Sequence, residues 1–142
     1  MSQVLDVSLM HDPSEWEGWA MRLSDSLLGL VAIEGEMGAG KTTAITHWLK
    51  AMGSLDRGSS PTYALCHDYV VPSIGIVHHF DFYRLDNESE AENLGLSDYF
   101  ASGQPCWMEW SEKIPTLMPE NVVTVSIVVL EDGARQVTLS QS

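Results

Sequence analysis

The segment Gly35-Glu36-Met37-Gly38-Ala39-Gly40-Lys41-Thr42 sets glycines, a lysine and a hydroxyl in the spacing G-x-x-x-x-G-K-[ST]. Each residue type has a task in holding a phosphate chain. Glycine lets the backbone curl, so that successive amides from Gly38 and Ala39 through Gly40, Lys41 and Thr42 point inward at the β- and α-phosphates of a nucleotide. A helix that begins at Lys41 adds the positive end of its dipole at the same place. The Lys41 ammonium reaches the β- and γ-phosphates, the Thr42 hydroxyl can hold Mg²⁺, and Thr43 falls near the α-phosphate. A glycine-rich turn with an exposed lysine would carry the same letters. It would not require an apolar strand before the loop and a periodic helix after it, and this sequence has both.

Binding a nucleotide and hydrolysing it are separate demands, because hydrolysis also needs metal ligation and a group that orients water. Asp81 closes the apolar run of His78-His79-Phe80-Asp81-Phe82-Tyr83, where a carboxylate serving Mg²⁺ commonly stands. His79, Asp81 and Tyr83 share one strand face. A zinc site at His78 and His79 is disfavoured, since adjacent strand residues point oppositely and no third ligand stands at a useful spacing. Glu109 follows the apolar Cys106-Trp107-Met108, so it is expected at the carboxyl edge of a parallel sheet, where ligands bind. A solvated acid at a strand end would look the same. Ser60-Pro61-Thr62-Tyr63 occupies the place of a switch loop, although on its residues alone it reads as a turn.

The elements that must position these groups are legible as periodicities. Residues 3 to 9 alternate as a short first strand. Asp12 as cap, Pro13 and Glu15 then announce a helix carrying Trp16, Trp19, Ala20, Leu23 and Leu27, with the two tryptophans expected in the core. Leu27 to Ile33 reads as a central strand running into the glycine loop. Ile45, Trp48, Leu49 and Met52 give a helix that Gly53 stops. Tyr63 to Val71 and Ile74 to Phe82 flank Pro72-Ser73 as a hairpin. Asn87 to Phe100 reads as one helix and Cys106 to Trp110 as a buried strand. Asn121 to Leu130 and Arg135 to Leu139 form a hairpin about Asp132-Gly133. Together these predict a single unit over 1–142: a three-layer α/β P-loop domain with a mostly parallel central sheet and antiparallel edge hairpins.

Composition restricts the partners. The 142 residues carry 20 acidic against 7 basic side chains, a formal charge of −13, which opposes direct binding to nucleic acid. The 2 cysteines have no paired spacing, as in a cytosolic free-thiol protein. Neither a signal peptide at Met1 to Met10 nor a membrane span is expected.

Taken together, Gly38-Ala39-Gly40-Lys41-Thr42-Thr43, Ser60-Pro61-Thr62-Tyr63, His79-Phe80-Asp81-Phe82-Tyr83-Arg84-Leu85 and Glu109-Trp110-Ser111-Glu112 resemble the TsaE (YjeE) family in order and spacing across nearly the whole chain. The resemblance implies a cytoplasmic ATPase using ATP and Mg²⁺. Such an ATPase supports threonylcarbamoylation of the adenosine beside the anticodon, with TsaB and TsaD as protein partners. It assigns Thr42 and Glu109 to Mg²⁺, Asp81 to the strand-end acid and Thr62 to the switch hydroxyl. Trp110 matches an aromatic residue near the nucleotide, and Arg135 aligns with a basic residue that can approach ATP, though it also fits an ordinary solvated arginine. Ser111 stands where many members have proline, and the connection from Met52 to Ser59 is short. The acidic run Asp86 to Glu92 offers a docking surface or simply a solvated helix face. Two other functions fit the loop. A small-molecule kinase would want an arginine-rich lid, yet Arg22, Arg57, Arg84 and Arg135 are scattered. A nucleotide-dependent interaction protein would share the acidic surface.

Overall fold

A computed structural model describes residues 2–55 and 65–142, so the expectations for Asp56 to Ala64, including Thr62, lie outside the described residues. The described strands form one sheet in the order β1-β7-β6-β2-β5-β4-β3. They are β1 (Gln3–Met10), β2 (Leu30–Glu34), β3 (Cys66–Val71), β4 (Gly75–Asp81), β5 (Cys106–Glu109), β6 (Val123–Val129) and β7 (Arg135–Gln141). β2 runs parallel to both β5 and β6, and β4 parallel to β5, while β1, β7 and β3 pair antiparallel toward the edges. A parallel core with antiparallel margins is the expected α/β arrangement. In this order β2, which feeds the glycine loop, lies at the centre between β6 and β5.

Two layers of helix cover the sheet. On one face α1 (Glu15–Arg22) and α2 (Lys41–Ala51) bury Trp16, Trp19 and Trp48 against Trp107 of β5. Trp19 and Trp48 stack with ring centroids 5.5 Å apart, and Trp48 meets Trp107 edge to face at 5.4 Å. Both geometries suit the aromatic quadrupole. The tryptophans of α1 are therefore core. On the other face α3 (Glu88–Asn93) and α4 (Leu96–Ala101) place Ala91 and Leu96 over Phe80, Phe82 and Met108.

Three of the differences from the sequence expectation have a local reason. The strand expected from Leu27 begins at Leu30, because Ser24–Leu27 winds into a 3₁₀ turn whose last carbonyl accepts a 2.8 Å bond from Trp107 Nε1. Leu27 is apolar because it is buried at that turn, not because it belongs to the strand. Asp12 does not cap α1 directly. Its carboxylate accepts from the Ser14 amide and hydroxyl in an Asx turn, and the helix starts at Glu15.

The third difference is that Asn87 to Phe100 is two helices, broken at Gly95 with φ +82°. Apolar periodicity runs on either side of this break and conceals it. A side chain in this left-handed conformation costs about 1–2 kcal/mol. Gly95→Ala should accordingly lower stability by about that much, read as a lower denaturant midpoint with unchanged slope.

Gly53 ends α2 as expected. At φ +80° it lets its own amide bond to Lys50 O and the Ser54 amide reach Leu49 O, a Schellman pair that closes the helix end.

Candidate functional site

Three strand ends converge on the loop after β2. Glu109 ends β5, in register with Ile33 of β2 on one side and Asp81 of β4 on the other, so the two carboxylates stand side by side at the carboxyl edge of the sheet. The glycine loop rises beside them, with Gly38 at φ +84° and Gly40 at φ +107°, and among the described residues no atom beyond the chain neighbours lies within 4 Å of where a Cβ at either would stand. Positive φ rather than crowding is what requires glycine here. Gly40 precedes the first turn of α2, so the positive end of that helix faces the same space.

The space is a cavity of about 330 Å³ lined by Gly38, Gly40, Lys41, Thr42, Thr43, Asp81, Glu109 and Trp110, together with Met37 and Tyr83. Lys41 is only 7% exposed. Its Nζ donates a 2.7 Å bond to Gly35 O and lies 4.0 Å from the centre of the Trp110 ring. The ammonium is thereby held at the cavity wall by a carbonyl and an aromatic face, neither of which neutralises its charge. Trp110 takes up this position through a left-handed backbone, φ +58°, the only positive φ among described non-glycine residues. The strand expected to run to Trp110 therefore stops at Glu109. The Trp110 ring also leans on Tyr83 at 5.0 Å.

The carboxylates differ in their surroundings. Glu109 is buried, and its Oε2 lies 2.6 Å from His79 Nε2, while His79 Nδ1 lies 3.3 Å from the Tyr69 hydroxyl. With the ring proton on Nε2, His79 donates to Glu109 and accepts from Tyr69, so both nitrogens of the buried ring are satisfied. Asp81 is half-buried and accepts a 3.0 Å bond from the Tyr83 amide. Burial pushes the Asp81 carboxyl above the usual aspartate range, and the neighbouring Glu109 charge adds to the effect. A hydroxyl and two crowded carboxylates form the hard oxygen donor set that Mg²⁺ prefers, and a dication there would relieve the crowding of charge.

That crowding has a measurable consequence. A carboxyl with a raised folded-state pKa favours folding most below its ordinary value of 3.8, and this contribution is lost as pH rises through the raised value. Asp81→Asn, which mimics the protonated form, should raise the melting temperature of the ligand-free chain at neutral pH. The gain should vanish in acid below the ordinary aspartate range. A thermal melt series across pH checks both.

Arg135, placed at the start of β7, does not simply extend into solvent. Its Nε donates to Ala39 O at 3.2 Å and its guanidinium to Gly133 O, beside a second cavity of about 130 Å³ that it shares with His11, Asp12, Gly40 and Thr43. This cavity continues from the phosphate loop past Thr43. The acidic run from Asp86 is partly engaged within the chain: the Glu88 carboxylate accepts from the Thr116 amide and hydroxyl at 2.8 and 2.7 Å, and Glu90 accepts from the Asp86 amide.

The structure therefore brings Gly38, Gly40, Lys41, Thr42, Thr43, Asp81, Glu109 and Trp110 into one cavity, and sets the buried Ala39 with Arg135 at the second cavity behind the loop. His79, which holds Glu109, went unassigned in the sequence reading. Its only sequence signal was the shared strand face of His79, Asp81 and Tyr83.

A family model described as threonylcarbamoyl adenosine biosynthesis protein TsaE matches residues 10–137. The chain belongs to the TsaE family. Curated TsaE relatives agree over most of its length. The protein from Haemophilus influenzae is 38% identical over 110 residues, 78% of this chain and 68% of its own. The protein from Treponema pallidum is 30% identical over 130 residues, 92% and 94% of the two chains. Both bear the name tRNA threonylcarbamoyladenosine biosynthesis protein TsaE. The crystal structure of Bacillus subtilis YdiB superimposes with a TM-score of 0.77 over 99% of this chain and 87% of its own, at 24% identity, a likeness of fold. The TsaE match spans every element that builds the cavity, from the end of β1 into β7. Among the described residues no helix is long and apolar enough to cross a membrane.

Proposed function

We propose that this TsaE-family chain is a cytoplasmic, single-domain ATPase. It acts with TsaB and TsaD in the threonylcarbamoyl modification of adenosine 37 in tRNAs that read A-starting codons. The observation that carries the reading is the convergence of Lys41 and the Gly38–Thr43 loop with Asp81 and Glu109 in one cavity. The family relationship supplies the process, since its relatives are named for tRNA threonylcarbamoyladenosine biosynthesis.

In this reading the loop amides and Lys41 hold the phosphates of ATP. The Thr42 hydroxyl, Asp81 and Glu109 would hold Mg²⁺, which supplies neutralisation of the charge that develops on phosphoryl oxygens. Glu109, fixed by His79, also has the position to orient a water. Trp110 shields Lys41 and flanks the phosphates, while the cavity beside Thr43 and Arg135 continues to the nucleoside. Thr62 keeps the switch role that the family resemblance gives it. An acidic surface suits docking on basic partner proteins that grip the tRNA, rather than on the tRNA itself.

The deciding experiment is multiple-turnover modification of unmodified tRNA by TsaB and TsaD, with and without this chain, beside phosphate release. Modification should cycle repeatedly only with the chain and ATP. TsaB and TsaD together should accelerate its turnover, less so as salt rises and screens the docking charges. Full-rate cycling without the chain, or phosphorylation of a small metabolite by it, would overturn the reading in favour of an unrelated ATPase or a kinase.

A further inference from the structure

The outer face of the β3–β4 hairpin gathers three different ligand atoms away from the phosphate loop. Asp68 and His78 stand directly opposite each other in the antiparallel register, and Cys66 lies two residues before Asp68 on the same face. Cys66 Sγ, a carboxylate oxygen of Asp68 and a ring nitrogen of His78 all lie within 4.8 Å of one another. Sγ is 3.4 Å from Asp68 Oδ1, and His78 Nδ1 is 2.6 Å from the same oxygen. The neighbouring His79 turns to the opposite face with Glu109, so the sheet itself separates this cluster from the nucleotide cavity. The sequence offered no third ligand near His78-His79 at a useful spacing. Strand pairing supplies two.

We propose that Cys66, Asp68 and His78 bind a zinc ion that clips the edge strand β3 to β4. One thiolate, one imidazole and one carboxylate make a donor set suited to Zn²⁺ and unlike the all-oxygen sets of Mg²⁺ and Ca²⁺. In a tetrahedral site, bonds of about 2.3 Å to sulfur and about 2.0 Å to nitrogen and oxygen separate S from O by about 3.5 Å and N from O by about 3.3 Å. The sulfur already stands at that separation. The Asp68–His78 contact must open by roughly 0.7 Å to take tetrahedral bonds, and the Asp68 side chain, 54% exposed, has room to turn. Exposure on that side leaves the fourth position to water. Tyr99 packs edge to face on the His78 ring at 4.9 Å and holds its plane.

The mechanical reason for a clip is the position of β3 at the end of the described strand order, where β4 is the described strand it pairs with. Burial, and next to it the Asp68 charge, pushes the Cys66 thiol well above the usual range, so the metal-free thiol is a poor nucleophile and gives up its proton when the ion binds. Cys106, which pairs with His78 from β5, directs its thiol at the carbonyls of Tyr99 and Gln104 instead.

Co²⁺ titration of the full chain tests the proposal, because a thiolate-to-cobalt charge-transfer band in the near ultraviolet cannot come from the carboxylates at the nucleotide cavity. The expected result is one Co²⁺ per chain with that band and tetrahedral visible absorption, displaced by Zn²⁺. Cys66→Ser should abolish the band and weaken Zn²⁺ binding, read by chelator competition, by more than the roughly 100-fold that losing an outer partner can cause. Asp68→Asn, at an exposed position that does not threaten folding, should weaken Zn²⁺ by at least tenfold. Cys106→Ser should change neither. A wild-type chain without the band, a band that survives Cys66→Ser, or loss of the band in Cys106→Ser would each overturn the site and leave an ordinary hydrogen-bonded triad.

Discussion

Lys41→Ala should reduce ATP affinity by about 100-fold or more while the chain stays folded. Two charge-assisted bonds to phosphate are worth about 1.5–3 kcal/mol each, and about 1.4 kcal/mol is a factor of ten in affinity. The ammonium is already delivered to the cavity wall by Gly35 O and the Trp110 face, so little ordering remains to be done when phosphate arrives. Folding should lose no more than about 1 kcal/mol, the worth of one hydrogen bond, because the Gly35 carbonyl can turn to water at the cavity. Equilibrium binding of ATP and a thermal melt measure the two quantities. Equal affinity in variant and wild type would return Gly35 to Thr42 to a glycine-rich turn.

Glu109→Gln should slow Mg²⁺-dependent hydrolysis by about 10²–10³-fold, within the range attributed to a positioned acid or base, and change nucleotide affinity only slightly. His79 makes this prediction sharper. His79→Ala removes the 2.6 Å bond and leaves a buried carboxylate without its partner, a loss of about 3 kcal/mol in stability together with a slower rate. His79→Gln keeps a donor near the same place and should restore part of both. Rates at limiting and saturating Mg²⁺, beside melts of each variant, separate a metal effect from loss of fold. An unchanged rate in Glu109→Gln would make Glu109 a structural acid paired with His79 and nothing more.

The parts of this site that could be read from the chain are those whose chemistry is contiguous. The loop from Gly35 to Thr42 announces itself because phosphate binding by successive amides needs neighbouring residues. Asp81 and Glu109 were legible because each ends an apolar run, and the ends of parallel strands share one edge. The pairing of His79 with Glu109 spans 30 positions and depends on which strand lies next to which, so no local pattern could reveal it. The same holds for Cys66 and Asp68 meeting His78. Gly95 was lost for a different reason, since one glycine within a periodic stretch is a weak signal beside the apolar spacing around it. Leu27 misled in the same way, because buried turns and buried strands are equally apolar. Arg135 could be judged only once β7 was laid beside β6, which brings its side chain to Ala39.

The arrangement of the five tryptophans gives the molecule two separate optical reporters. Trp16, Trp19, Trp48 and Trp107 are packed ring against ring in the core, whereas Trp110 alone lies under the Lys41 ammonium at the cavity. Indole emission is sensitive to a charge moving over the ring, so drawing Lys41 toward phosphate should shift the Trp110 contribution and leave the core emission unchanged. Unfolding should do the reverse, dominated by the four rings as their contacts dissolve. Trp110→Phe would then silence the nucleotide-dependent change in fluorescence and preserve the denaturation signal, allowing occupancy and folding to be followed in one cuvette without an added dye.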